Sequence, residues 1–296
     1  MEEKPVEMPD NVWKHVQKLQ HKNWRVRRRA VNALGRIGHE SAIPHLGQAL
    51  LKDENEIVRA SAAIAMGKIG HESAVPHLGQ ALLKDEDENV RLRAAGALGR
   101  IGHESGVPHL GQALLKDEDE DVRERVVNAL GRIGHESAVP HLIKALKNDK
   151  SDYIRERVVN ALGKIGHESA VPHLIKALKD KNDSVRFSAV NALGKIGHES
   201  AVPHLAQTLK DKDWTFRWSA ARALGRIGHE SAVPHLGQTL LEDENEDVRE
   251  RAARALGEIG HESAIPHLTK ALEDKSEIVR SAAARALDMI KRRRRK

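Results

Sequence analysis

The chain has 296 residues, 40% of them hydrophobic, 31% charged and 2% aromatic, with no cysteine and a formal charge of +6. The length allows one elongated domain or two compact ones, and the lack of cysteine excludes a disulfide framework, a thiolate metal site and a cysteine nucleophile. With no stretch near the ~18 apolar residues of a membrane span, a cytoplasmic protein is expected.

In chain order, residues 1–9 read as a short N-terminal extension, and Asn11 to Gln20 as the first helix of an irregular opening unit. From there one unit recurs. The string Gly-His-Glu-Ser appears eight times, from Gly38 to Gly260, at spacings of 32 residues except for two of 31. A period of this size indicates stacked supersecondary units.

Each unit reads as two helices. After Ser41, the apolar residues Ile43, Leu46, Ala49 and Leu50 form one amphipathic stripe. Ser41 is the expected N-cap, with Pro44 at the third helical position, where its missing N–H is tolerated. The second helix runs through Val26, Arg27, Ala30, Ala33, Leu34 and Ile37, and Gly38 is expected to end it in the left-handed conformation. The single-residue deletions fall before an Asp, where Leu50-Leu51-Lys52-Asp53 becomes Leu178-Lys179-Asp180. They should shorten a helix end without moving the core register. Residues 278–290 supply the last second helix, giving about nine pairs over 10–290. Lys291 to Lys296 form a basic tail that accounts for the whole charge excess, so the domain itself is formally neutral.

The pattern Val-Arg-x-x-Ala-x-x-Ala-Leu-Gly-x-Ile-Gly followed by Ala-Val-Pro-x-Leu resembles the short HEAT-like repeat first named from phycobilisome lyases, across about residues 10–290. The resemblance implies an all-α, right-handed solenoid whose second helices line a concave groove. It also implies an Asp/Arg ladder between adjacent units, here Asp53/Arg59, Asp85/Arg91 and their equivalents, with His21 in the Asp position of the first unit. The family includes deoxyhypusine hydroxylase, whose di-iron site uses His-Glu pairs borne on the repeat helices. Here those helix positions hold Arg28-Arg29, Glu124-Arg125 or Trp218-Ser219, and the His-Glu pairs sit at the interhelix turn. The repeated histidines therefore read as parts of the frame, and no catalytic residue, cofactor or metal is expected.

Because the frame is nearly copied, information about a partner resides where units differ. The position after the repeat Arg runs Arg28, Ala60, Leu92, Glu124, Glu156, Phe187, Trp218, Glu250 and Ser281, and it varies together with the residues four and eight places later. These share one helix face, which cannot be core. The candidate partner-binding residues on and beside it are Leu92, Arg93, Arg125, Asn128, Arg157, Asn160, Phe187, Asn191, Trp214, Trp218, Arg222 and Arg226. Exposed Trp and Arg are frequent contact anchors. The expected function is a non-enzymatic scaffold holding a protein partner, with self-association open. The alternatives are an enzyme or accessory subunit of lyase or hydroxylase type, and nucleic-acid binding on a basic groove. Glu124, Glu156 and Glu250 in the same column weigh against phosphate.

Overall fold

A computed structural model describes residues 8–294. They form α-helical pairs joined by tight turns, with no strand among the described residues. The chain packs as two compact units, meeting at Ala161 and Leu162 inside one helix. The first unit contains α1 (Asp10–Val16), α2 (Trp24–Ile37), α3 (Ile43–Lys52), α4 (Glu56–Ile69), α5 (Val75–Lys84), α6 (Glu88–Ile101), α7 (Val107–Lys116), α8 (Glu120–Ile133), α9 (Val139–Asn148) and most of α10 (Asp152–Ile165). The second contains α11 (Val171–Ala177), α12 (Asp183–Ile196), α13 (Val202–Thr208), α14 (Trp214–Ile227), α15 (Val233–Glu242), α16 (Glu246–Ile259), α17 (Ile265–Lys270) and α18 (Glu277–Arg294). Odd-numbered helices are the first of each pair and even-numbered helices the second. This is an all-α solenoid.

The second helices are set by their two ends. Asn55 accepts a hydrogen bond from the Ile57 N–H at 3.1 Å, and Asp87 accepts one from Val90 at 3.0 Å. Such caps satisfy N–H groups that have no partner within the helix. At the other end Gly70 has φ +77°, a conformation that costs any residue with a Cβ.

The apolar stripes meet in a core of fully buried Leu34, Leu46, Leu50, Leu78, Leu98 and their counterparts. A single pair leaves its stripe open on one side, so burial comes from stacking successive pairs. Close approach rests on a Gly against an Ala. A Cβ on Gly67 would lie 2.8 Å from the Ala97 Cβ, and in the second unit one on Gly194 would lie 2.8 Å from the Ala223 Cβ. First helices approach through a different pair, since a Cβ on Gly47 would touch the His77 ring at 2.8 Å. In α1 Trp13 stands edge-on to the His45 ring, with centroids 6.4 Å apart.

Two local features differ from the sequence expectation. Ser41 does not cap α3. Residues 40–42 form a 3₁₀ turn in which His39 is the cap, and Pro44 is the second residue of α3. A histidine ring nitrogen reaches the Ser N–H as an Asx side chain would, which composition rules for caps do not anticipate. The deletions act as expected: α11 and α13 have seven residues where α3 and α5 have ten. The basic tail begins inside α18, which continues to Arg294. Arg293 donates to the carbonyls of Glu258 and Ile259 at the end of α16 (3.0 and 3.2 Å), and Arg292 pairs with Asp288 at 2.7 Å. Cations stabilise the carbonyl end of a helix. Residues 1–7 of the extension, and Arg295 and Lys296 of the tail, lie outside the described residues.

Candidate protein-binding face

Two ladders hold the second helices in register and orient the face between them. In the first, a repeat Arg reaches the Asp of the next pair. Arg59 donates Nε and Nη2 to Asp85 at 2.9 and 3.0 Å, and its Nη1 donates to the Asp53 carbonyl at 3.0 Å. Arg27–Asp53, Arg91–Asp117, Arg217–Asp243 and Arg249–Asp274 repeat the geometry. These bidentate pairs are nearly buried, and Asp85 holds Arg59 more firmly protonated than usual despite the opposing effect of burial. In the first unit His21 stands in for the Asp, its Nδ1 accepting from the Asn23 N–H at 3.0 Å as Asp53 does from Asn55.

One rung within the second unit is replaced. Arg186 pairs with Asp183 on its own helix and lies 5.2 Å over the Phe216 ring. Phe216 replaces the core Val of the pattern and is buried, as its place in the pattern implies. Its ring occupies the approach of the guanidinium, and it meets Phe187 edge-to-face at 5.9 Å.

The second ladder is made by the Gly-His-Glu-Ser turns. His71 Nδ1 accepts from the Ser73 N–H at 3.3 Å and contacts the Ser73 hydroxyl at 2.9 Å. The ring proton therefore sits on Nε2, which donates to Glu40 of the preceding turn at 2.9 Å. His103 with Glu72, and in the second unit His229 with Glu199 (3.1 Å), do the same. The histidines thus link turn to turn. No group of three or more His, Cys, Asp or Glu that could hold a metal ion occurs among the described residues.

Between the ladders lies the variable face. In the first unit Arg93, Arg125 and Asn128 are exposed, and Leu92, Arg157 and Asn160 are half-buried. Several are joined in a network the sequence did not reveal. Glu124 Oε1 accepts from the Tyr153 hydroxyl at 2.7 Å, from Arg157 Nη2 at 2.6 Å and from Asn128 at 3.4 Å, while Arg157 lies 5.2 Å over the Tyr153 ring. Burial would raise the Glu124 carboxyl, but these donors outweigh it and hold it below the ordinary range. Tyr153 is 43% exposed and is part of the face, although the position it occupies precedes the variable column.

In the second unit Phe187 and Trp214 are exposed, at 38% and 43%, while Trp218, Asn191 and Arg222 are half-buried and Arg226 is exposed. Arg222 donates to Asn191 at 2.7 Å and lies 5.3 Å over the Trp218 ring. Burial lowers its pKa, as do the charges of Arg226 and Arg251. Arg251 is buried and donates to both Glu258 oxygens at 2.7 and 2.6 Å, and Arg254 pairs with Glu250. A depression of about 1000 Å³ beside Trp13 and His45 lies outside this face.

Stacked antiparallel helix pairs with an Asp/Arg ladder define a helical-repeat protein. The chain belongs to the HEAT-repeat family: HEAT repeats match residues 14–82, 75–157, 139–215, 172–250 and 202–288. No curated protein matches it. Among solved structures, an engineered protein from the Northeast Structural Genomics Consortium is 23% identical, with a TM-score of 0.52 over 95% of this chain and 88% of that one. Human deoxyhypusine hydroxylase is 26% identical (TM-score 0.40, 88% and 99% covered). The CpcE–CpcF phycocyanin lyase complex of Nostoc is 24% identical (TM-score 0.44, 80% and 97% covered). The engineered protein shares the fold, and the two looser superpositions carry no argument about activity. No helix among the described residues is long and apolar enough to cross a membrane.

Proposed function

We propose that this protein is a non-enzymatic scaffold that binds a protein partner along the variable face of its second helices, the concave groove that the family resemblance implies. The observation carrying this reading is the contrast between a copied frame and one non-copied face that displays Phe187 and Trp214 at 38% and 43% exposure. Exposed aromatics on an otherwise charged surface favour a contact role. The ladders pre-order the helices, so little conformational entropy is lost when a partner docks. Glu124, held ionised by Tyr153 and Arg157, favours a protein surface over a phosphate backbone in the first unit.

The test is capture from the native host, treated with nuclease, by the full chain and by a Phe187→Ala/Trp214→Ala/Trp218→Ala variant. A partner retained by the first and lost by the second is expected. For that partner, Trp218→Ala with Phe187→Ala should weaken binding by more than ~2 kcal/mol. Equal retention by both baits refutes the reading, and stoichiometric iron in a bait that retains no protein would favour a hydroxylase instead.

A further inference from the structure

We infer that the second unit carries a carboxylate-binding subsite at Arg222 and Arg226, and that the segment docking there is an acidic peptide with an apolar residue beside its Asp or Glu. The inference rests on the scaffold reading above and deepens it by naming the chemistry of the partner.

Most arginines near this point have a carboxylate. Arg217 has Asp243, Arg249 has Asp274, Arg251 has Glu258 and Arg254 has Glu250. Among the described residues, Arg222 and Arg226 have none. Arg222 is half-buried, its one hydrogen-bonded partner is the neutral Asn191, and Arg226 and Arg251 stand close enough to act on its charge. Crowding one half-buried guanidinium with like charge is unfavourable until an anion arrives.

The same two helices also carry buried polar atoms that lack a partner. Two buried side-chain atoms without a hydrogen-bond partner lie on the adjoining turns of α14 and α16: Ser219 Oγ, next in sequence to Trp218, and Arg251 Nε. Ser219 is 1% exposed and Arg251 8%. The equivalent Ser61 hydroxyl in the first unit is satisfied by the Ile57 carbonyl at 2.7 Å. Unsatisfied buried polar groups are uncommon in folded proteins.

The Trp218 ring beneath Arg222 and the exposed Trp214 one turn earlier supply an apolar wall beside the cations. A carboxylate is planar and accepts two parallel N–H donors from a guanidinium. A phosphodiester chain would carry further charge past Glu250 and Glu258, and this favours a single side-chain carboxylate on a peptide.

The test uses the full chain, immobilised, to select from a random dodecapeptide phage library, in parallel with Arg222→Gln/Arg226→Gln and with Phe187→Ala/Trp214→Ala, each checked for unchanged thermal unfolding. Peptides enriched in Asp and Glu next to aromatic or aliphatic residues are expected. A synthetic peptide from that set should bind the Arg222→Gln/Arg226→Gln variant at least tenfold more weakly. Its Glu→Gln or Asp→Asn version should lose as much on the parent chain and little more on the variant. Selected peptides that are not acidic, or affinities within twofold on the double-Gln variant, overturn the subsite. If such peptides still depend on Phe187 and Trp214, the scaffold reading survives that failure. If no peptide is selected, or Phe187→Ala/Trp214→Ala changes nothing, both fall. Competition by a 20-mer of oligo-dT at equal charge would assign the cations to nucleic acid and overturn the inference.

Discussion

The same Gly→Ala substitution should have opposite effects at three places on α6 and α8. Gly96, Gly99 and Gly131 all lie inside second helices, where Ala is favoured over Gly by about 1 kcal/mol. What differs is the space a methyl would enter. At Gly96 the nearest atom is the flexible Arg125 Cδ at 3.6 Å, an ordinary contact. At Gly131 the Ala161 Cβ stands at 3.3 Å, so a shift of a few tenths of an ångström is needed. At Gly99 the Ala129 Cβ and Cα stand at 2.7 and 2.8 Å, and one of them is backbone. Overpacking costs of about 1–3 kcal/mol apply there and exceed the helix-propensity gain. Gly96→Ala should therefore stabilise by about 0.5–1 kcal/mol, Gly131→Ala should be near neutral, and Gly99→Ala should destabilise by about 1–2 kcal/mol. The assay is urea unfolding followed by far-UV circular dichroism, comparing midpoints at constant m-value. Equal shifts at Gly96 and Gly99 would refute the claim that helix spacing is set by these Gly–Ala contacts.

Three further outcomes follow from the ladders and the face. Asp85→Asn keeps the acceptor for the Asp87 N–H but leaves the nearly buried Arg59 without its counter-charge, and should cost about 3 kcal/mol. Asp211→Asn, in the joint where Arg186 turns to Asp183 and Phe216, should shift the urea midpoint far less, and equal losses would contradict the broken rung. Burial raises the Asp274 carboxyl, but Arg249 and the Ser276 N–H outweigh it and hold it below the ordinary carboxylate range. Its contribution is then complete above the unfolded-state value and lost as pH falls through the lower folded-state value. Asp274→Asn should accordingly be less stable than the parent at pH 7 and approach it as pH falls below the ordinary carboxylate range, a convergence read from urea midpoints across that range. Tyr153→Phe should raise the Glu124 pKa, measurable by carboxyl-carbon NMR titration, and no change would mean that the hydroxyl contributes nothing to the network.

The frame was legible because its determinants are local and repeated. Helix period, the Gly at each helix end and the recurrence of the Asp and Arg positions can all be counted along the chain, and the structure has the left-handed Gly at Gly70; that Arg59 reaches forward to Asp85 rather than back to the Asp53 carboxylate could not be counted. The roles of His39 and His71 were not legible, because a ring that caps its own turn and reaches the previous one is defined by geometry that residue type does not encode. The Glu124–Tyr153–Arg157 network joins residues 29 and 33 positions apart, and sequence spacing alone cannot tell a satisfied arginine from a free one. Phe216 stands at the Val of the repeat pattern and is buried accordingly, but its displacement of the Arg186 rung depends on which way a ring lies.

A chain made of near-copies must also choose among its own copies while folding. One second helix fits several others almost equally well, and skipping a unit doubles the closing loop at a cost of only about 0.6 kcal/mol. Wrongly paired stacks are thus close in energy to the right one, and an energy gap must come from units that differ. The Arg186–Phe216–Phe187 joint is such a difference. Phe216 finds its receiving ring and guanidinium only on α12, so the contact distinguishes one neighbour from all the others and marks a place from which the count of units can be kept.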